Sequence, residues 1–167
     1  MIGRFLAVIL GLAGAAGGSQ APGYTLQYMQ NLNGRIDELR PIVEQFDRDV
    51  GAYNYTRSQA MAECATAEGL LDALCNSYET TVKRFEELSA HFAILDGANE
   101  YERPIILARD FKRDIAENVM EQFKPAIPVT LDGAAYAGGG FALIWGGLSF
   151  IFGFFGMLFG GGNRRYA

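Results

Sequence analysis

Read by the alternation of its apolar and polar positions, the chain has two apolar, glycine-rich ends and a charged middle with helical periodicity. From Gly133 to Asn163 no side chain carries a charge. At about 1.5 Å per residue, a helix of that length crosses a hydrocarbon layer of roughly 30 Å with room to spare. The pattern predicts a transmembrane helix in residues 130–163. Its small residues Gly139, Ala142, Gly146, Ser149, Gly153, Gly156 and Gly160 recur at alternating steps of three and four, while Phe141, Ile144, Trp145, Phe150 and Phe154 fill the rest of the circumference. Lipid tails are as apolar as these side chains, so helices associate in a bilayer by close backbone packing, which a small seam allows.

The N-terminal run from Ile2 to Gly18 has one charge, Arg4, then a short apolar stretch and a series of small residues. A cleavable signal peptide has the same features. Ala7, Gly11, Gly14 and Gly18, however, form a second small seam suited to face the C-terminal one. That favours a retained span over residues 1–23, ended by Pro22 and Gly23.

Between the spans, residues 24–129 read as a helical domain. Met29, Leu32, Ile36, Leu39, Val43, Phe46, Val50 and Tyr53 form a heptad stripe, with Pro41 inside it as a predicted kink. Leu71, Leu74, Tyr78, Thr81, Phe85, Leu88, Phe92 and Leu95 repeat that spacing up to a glycine cap at Gly97. Two such stripes bury each other most simply as an antiparallel coiled-coil hairpin. A third helix is predicted from Pro104, with Leu107, Phe111, Ile115, Val119 and Phe123 inward. Lys124-Pro125-Ala126-Ile127-Pro128 then makes a stiff elbow before the last span. The fold class is therefore all-α, with two transmembrane helices flanking an extracytoplasmic domain.

Charge sharpens this picture. Eleven basic and all nineteen acidic residues lie between Tyr24 and Asp132, a net of −8. Phosphate contacts need clustered Lys and Arg, so nucleic acid is excluded as a partner. Arg4 before the first span and Arg164 and Arg165 in the tail, residues 164–167, place both termini in the cytoplasm by the positive-inside rule. The acidic middle is then periplasmic in a Gram-negative cell.

Candidate chemistry is sparse. Cys64 and Cys75 would stand about 16 Å apart on one continuous helix, too far to bridge, but a turn near Gly69 lets them meet. An oxidising compartment favours a disulfide there, and two small buried free thiols are the alternative. His91 is the single histidine and has no second ligand at metal spacing, so it reads as structural. Gly138, Gly139 and Gly140 lack the Lys-Ser or Lys-Thr of a phosphate loop. No nucleophile, base and orienting group can be assembled, so no catalytic residue, cofactor or metal is expected and the protein reads as non-enzymatic.

Three motifs, Ala21-Pro22-Gly23-Tyr24 with Gln27-Tyr28, Tyr101-Glu102-Arg103-Pro104, and Phe123 to Gly133 around Pro125-Ala126-Ile127-Pro128-Val129-Thr130, carry a resemblance. The chain resembles an uncharacterised family of bacterial inner-membrane proteins, a domain of unknown function with a span at each end. The resemblance implies two spans and an inner-membrane address and brings no activity with it. The expected role is that of a membrane protein that self-associates, or joins another membrane complex, through its glycine seams and heptad helices. The competing expectation is a membrane-anchored periplasmic sensor or binding module.

Overall fold

The computed structural model describes residues 2–125 and 130–159. Gly160, Arg164, Arg165 and the Ala126–Val129 part of the elbow lie outside the described residues. The described chain is helical, with no strand, in the order α1 (Ile2–Ser19), α2 (Ala21–Ala52), α3 (Arg57–Cys64), α4 (Leu70–Gly97), α5 (Arg103–Arg109), α6 (Arg113–Gln122) and α7 (Leu131–Phe159). Two helices are long and apolar enough to cross a membrane: the one that starts at Phe5 and runs on through α2, and Leu131–Met157.

Pro22 and Gly23 do not break the first helix, as the sequence suggested. The interruption is a single turn residue, Gln20, and the Tyr24 N–H reaches back to the Gln20 carbonyl at 2.9 Å. Pro22 falls in the first turn of α2, where a missing N–H leaves nothing unsatisfied. The hydroxyls at the junction bond their own helix: Ser19 Oγ donates to the Ala16 carbonyl and Thr25 Oγ1 to the Ala21 carbonyl, each at 2.8 Å. Both residues are buried there with their polar atoms satisfied.

The body is built on an antiparallel α2–α4 pair. Tyr28 meets His91 at one end, and the Phe46 and Tyr78 rings stack at 3.6 Å towards the other. α6 runs antiparallel to α2 on its other flank, with Arg35 bonded to Asp114 at 2.6 Å and Tyr24 edge-on to Phe123 at 5.7 Å. Tyr28, Met29, Leu32, Ile36, Leu88, Leu95, Leu107, Ile115 and Val119 form one buried cluster. The buried stripe reaches one step further back than Met29, to Thr25 in the same three-four register, and because α2 is covered on two sides here it widens to take in Tyr28.

Away from that cluster the heptad stripes thin out. Leu71, Leu74 and Tyr53 are exposed, since only α3 and its turns lie beyond the α2–α4 pair at that end. Val82 and His91 are buried on α4 instead.

The predicted third helix is two helices. At its break the Lys112 N–H donates to the Tyr28 hydroxyl at 2.8 Å, so a buried side chain takes an amide that a continuous helix would have used. Phe111, expected inside, is exposed as a result. Gly97 is not a left-handed cap either, because Gly69 is the one described glycine with positive φ. The last carbonyls of α4 are taken by the Arg103 guanidinium, whose Nε donates to Leu95 O and Nη2 to Asp96 O, both at 3.0 Å.

Leu32 is fully buried in the cluster. Replacing it with alanine should lower the unfolding free energy by about 2–5 kcal/mol in denaturant titration of the detergent-purified protein. Arg48→Ala, which removes an exposed i, i+4 pair with Glu44, should change it by less than about 0.5 kcal/mol.

Candidate functional site

The two apolar helices lie against each other in antiparallel fashion, from Gly18 beside Tyr136 to Gly3 beside Phe152. Ala7 is buried in this contact, and Gly11, Gly14 and Gly18 continue it. At Gly14 a Cβ would stand 2.6 Å from Ile144 Cγ1 and 2.7 Å from the Gly140 carbonyl oxygen. At Gly18 it would meet the Tyr136 carbonyl oxygen at 2.5 Å, and at Gly11 the Phe141 ring and Trp145 Cβ at 2.9 Å. A Cβ on Gly140 would in turn run into the Gly14 carbonyl. The α1 seam is thus a groove that admits backbone at Gly140 and large side chains at Phe141, Ile144 and Trp145.

This is not the expected small-to-small pairing of two seams. On α7 the contact face takes in Tyr136, Gly140, Phe141, Ile144, Trp145 and Phe152. Gly139, Ala142, Gly146 and Gly153 fall on roughly the opposite side at 3.6 residues per turn, with Ser149 and Gly156 on its flank. A Cβ added at Gly139, Gly146, Gly153 or Gly156 meets nothing within 4 Å. The physical reason is volume: glycines on α1 facing large side chains on α7 fill the interface, whereas two facing small seams fill it only by drawing the backbones together along their whole length. Gly140 lies outside the predicted seam because the run Gly138-Gly139-Gly140 offers a glycine to any face.

In the body, Tyr28 and His91 form the one described pair of polar side chains bonded to each other in the core. The Tyr28 hydroxyl accepts the Lys112 N–H and lies 3.1 Å from His91 Nε2. A hydroxyl has one proton and two lone pairs, so it pairs with Nε2 in either imidazole tautomer; the other ring nitrogen, Nδ1, lies 3.7 Å from Asp110 Oδ2. Burial pushes the imidazole below its ordinary value of 6.5; Asp110 opposes this and Lys112 adds to it. Burial likewise raises the Tyr28 phenol. His91 is thus buried in the core with the Tyr28 hydroxyl on one ring nitrogen.

Farther along α2, Cys64 and Cys75 are joined by a disulfide with Cα atoms 5.6 Å apart. The turn that brings them together passes through Gly69 at φ +62° and ψ −129°, a backbone conformation that a residue with a Cβ rarely adopts. Arg57 at the start of α3 ties the same corner down. It bonds both Asp47 carboxylate oxygens, at 2.8 and 2.5 Å, and Glu86 at 3.1 Å. The Arg57 bonds hold the Asp47 carboxyl below its usual range, and burial, with the Asp47 charge, drives Tyr78 up to about 12. On the α6 side, burial alone would raise Asp114, but Arg84 and Arg35 together hold it low.

A cleft of about 370 Å³ opens where the apolar helices join the body, walled by the first turns of α2, the start of α5, the residues after α6 and the start of α7. Tyr136 donates its hydroxyl to the Tyr101 carbonyl beside it. No group of three or more His, Cys, Asp or Glu side chains able to hold a metal occurs among the described residues.

The family described as "Protein of unknown function (DUF2937)" matches residues 2–161, and the chain belongs to it. No curated protein and no solved structure matches the chain.

Gly14→Ala should loosen the α1–α7 contact and lower the detergent-solubilised protein's thermal midpoint, the overlap costing about 1–3 kcal/mol. Gly146→Ala, with open space around it within the chain, should leave the midpoint of the single chain unchanged. The depressed histidine gives a pH dependence of definite sign. The unfolded chain takes up the His91 proton at about 6.5, whereas the folded chain does so only lower. Stability should be flat in this respect above pH 6.5 and fall as the pH drops from there towards the folded value. Denaturant titrations at pH 7.5 and 5.5 should show a loss that His91→Gln, which keeps an acceptor for Tyr28, diminishes.

Proposed function

We propose that this member of the DUF2937 family is a non-enzymatic integral membrane protein that packs through the outer face of α7 against a second copy or another membrane subunit. It serves as an accessory or scaffold component of a membrane assembly. The observation that carries this reading is the state of α7: no residue in its most apolar window is buried, and the glycines opposite α1 face open space. Apolar surface on that scale needs lipid or protein over it, and small residues are where another helix approaches closely. The α1 seam is occupied within the chain, so the two glycine faces serve different contacts.

In this reading α1 and α7 cross a bacterial inner membrane, with both termini cytoplasmic and the acidic body in the periplasm. The Cys64–Cys75 disulfide supports an oxidising location for the body, and Arg4, Arg164 and Arg165 support the orientation. A membrane-anchored binding module is the second reading. The cleft at the base of the body favours it, while the filled core around Tyr28, Leu32, Leu95 and Ile115 leaves the interior without room for a ligand.

Substituting Gly146 and Gly153 together with leucine should shift the protein from oligomer or complex to single chains in native mass spectrometry from mild detergent. The thermal midpoint of the single chain should not move. An assembly of unchanged mass would count against the proposal.

A further inference from the structure

We infer that the cleft at the base of the body is a binding site for the headgroup of a phospholipid bearing both a phosphate and a primary ammonium, a phosphatidylethanolamine-type lipid. The inference rests on the membrane placement proposed above, which puts the cleft at the lipid–water boundary. The cleft is walled by the first turns of α2, the start of α5 and the start of α7, at the junction where α1 ends, and Tyr101, next in sequence to its wall residue Glu100, is bonded by Tyr136 of α7. Tyrosines concentrate at that depth because they present an apolar ring and a polar tip.

The chemistry of the lining selects the ligand. Arg103 and Lys124 contribute two positive charges, Glu100 and Asp132 two negative ones, and Leu26 and Met29 are among the apolar residues of the wall. The lining is therefore neutral overall but has charges of both signs, which suits a zwitterion. An anionic headgroup would gain from the cations and lose to the carboxylates. Arg103 uses Nε and Nη2 on the α4 carbonyls, with the exposed Asp96 carboxylate 3.9 Å from Nη2, and Nη1 has no hydrogen-bond partner among the described residues. The guanidinium is thus held in place with donors left for a phosphate oxygen. Lys124 and Glu100 are exposed and carry no ion pair among the described residues. A primary ammonium offers three N–H donors to the carboxylates, whereas a quaternary amine offers none. The volume of about 370 Å³ lies within the range of roughly 300–1,000 Å³ usual for small-ligand sites.

The test uses the full chain, purified in mild detergent and exchanged with phosphatidylethanolamine, phosphatidylcholine or phosphatidylglycerol, with retained lipid read by native mass spectrometry. Phosphatidylethanolamine should be retained at least tenfold over the other two. Lys124→Ala with Glu100→Gln should abolish that preference while helical content by circular dichroism stays unchanged; Lys124→Gln alone, a milder change at an exposed position, should weaken it. Equal retention of all three lipids, or a preference that survives both variants, overturns the inference. Retention favouring phosphatidylglycerol would assign the cleft to an anionic lipid and overturn it as well. Alkaline carbonate extraction of native membranes separates this result from the membrane placement. A chain released as soluble protein refutes the placement, whereas a chain that stays in the pellet without lipid preference refutes only the headgroup site.

Discussion

Where α1 and α7 cross, Gly14 and Gly140 bring main chain against main chain, and neither position tolerates even a methyl group without something moving. Dispersion forces fall off within fractions of an ångström, so an approach this close gives two smooth apolar helices a defined register where bulky side chains would hold them apart. The rest of the chain conforms to that register. Because α1 leads directly into α2, and α6 delivers the chain to α7, fixing the two ends side by side requires the body to start and finish at one place. Its α2–α4 and α2–α6 pairings are antiparallel accordingly.

Within the body, two kinds of interaction divide the length of α2. Near the apolar helices a single cluster of large side chains is closed around Tyr28, whose hydroxyl serves Lys112 and His91 at once. On the flank of that cluster Arg35 and Arg84 share Asp114, and beyond it, where apolar burial thins out, Arg57 bridges Asp47 and Glu86. These ion pairs are partly exposed and individually weak. The disulfide and the Thr56–Gln59 capping box supply order at the corner, where no core is available to do so.

The helical content and the apolar ends were legible in the chain because each rests on a local rule. Three-four spacing marks the buried side of α2, and an uncharged run marks α7. The Cys64–Cys75 link was half legible: spacing showed that a turn was required, and Gly69 marked where. What eluded the pattern depended on a third body. Tyr28 lies off the three-four stripe and is buried because His91 of α4 and the break between α5 and α6 close over it, which no period within α2 encodes. The split at Asp110–Lys112 arises because Tyr28, some eighty residues away, captures an amide. At the crossing the small residues of α7 pointed to the wrong face for a related reason: a seam of glycines says that something can approach, while the volumes on the opposing helix decide what does. Leu71 and Leu74 keep perfect spacing and remain exposed for want of a neighbour.

One consequence follows from the near-continuity at Gln20. The bond from the Tyr24 amide to the Gln20 carbonyl carries the helical path across the junction. α2 extends 32 residues beyond it, which is about 48 Å at 1.5 Å per residue. Such a rod acts as a pointer: leaning its foot by 5° sweeps the far tip through about 4 Å, more than the width of a water molecule. Small changes in the slant of the buried end are thereby magnified at the cystine-clamped corner, the part of the molecule farthest from the lipid in the proposed placement.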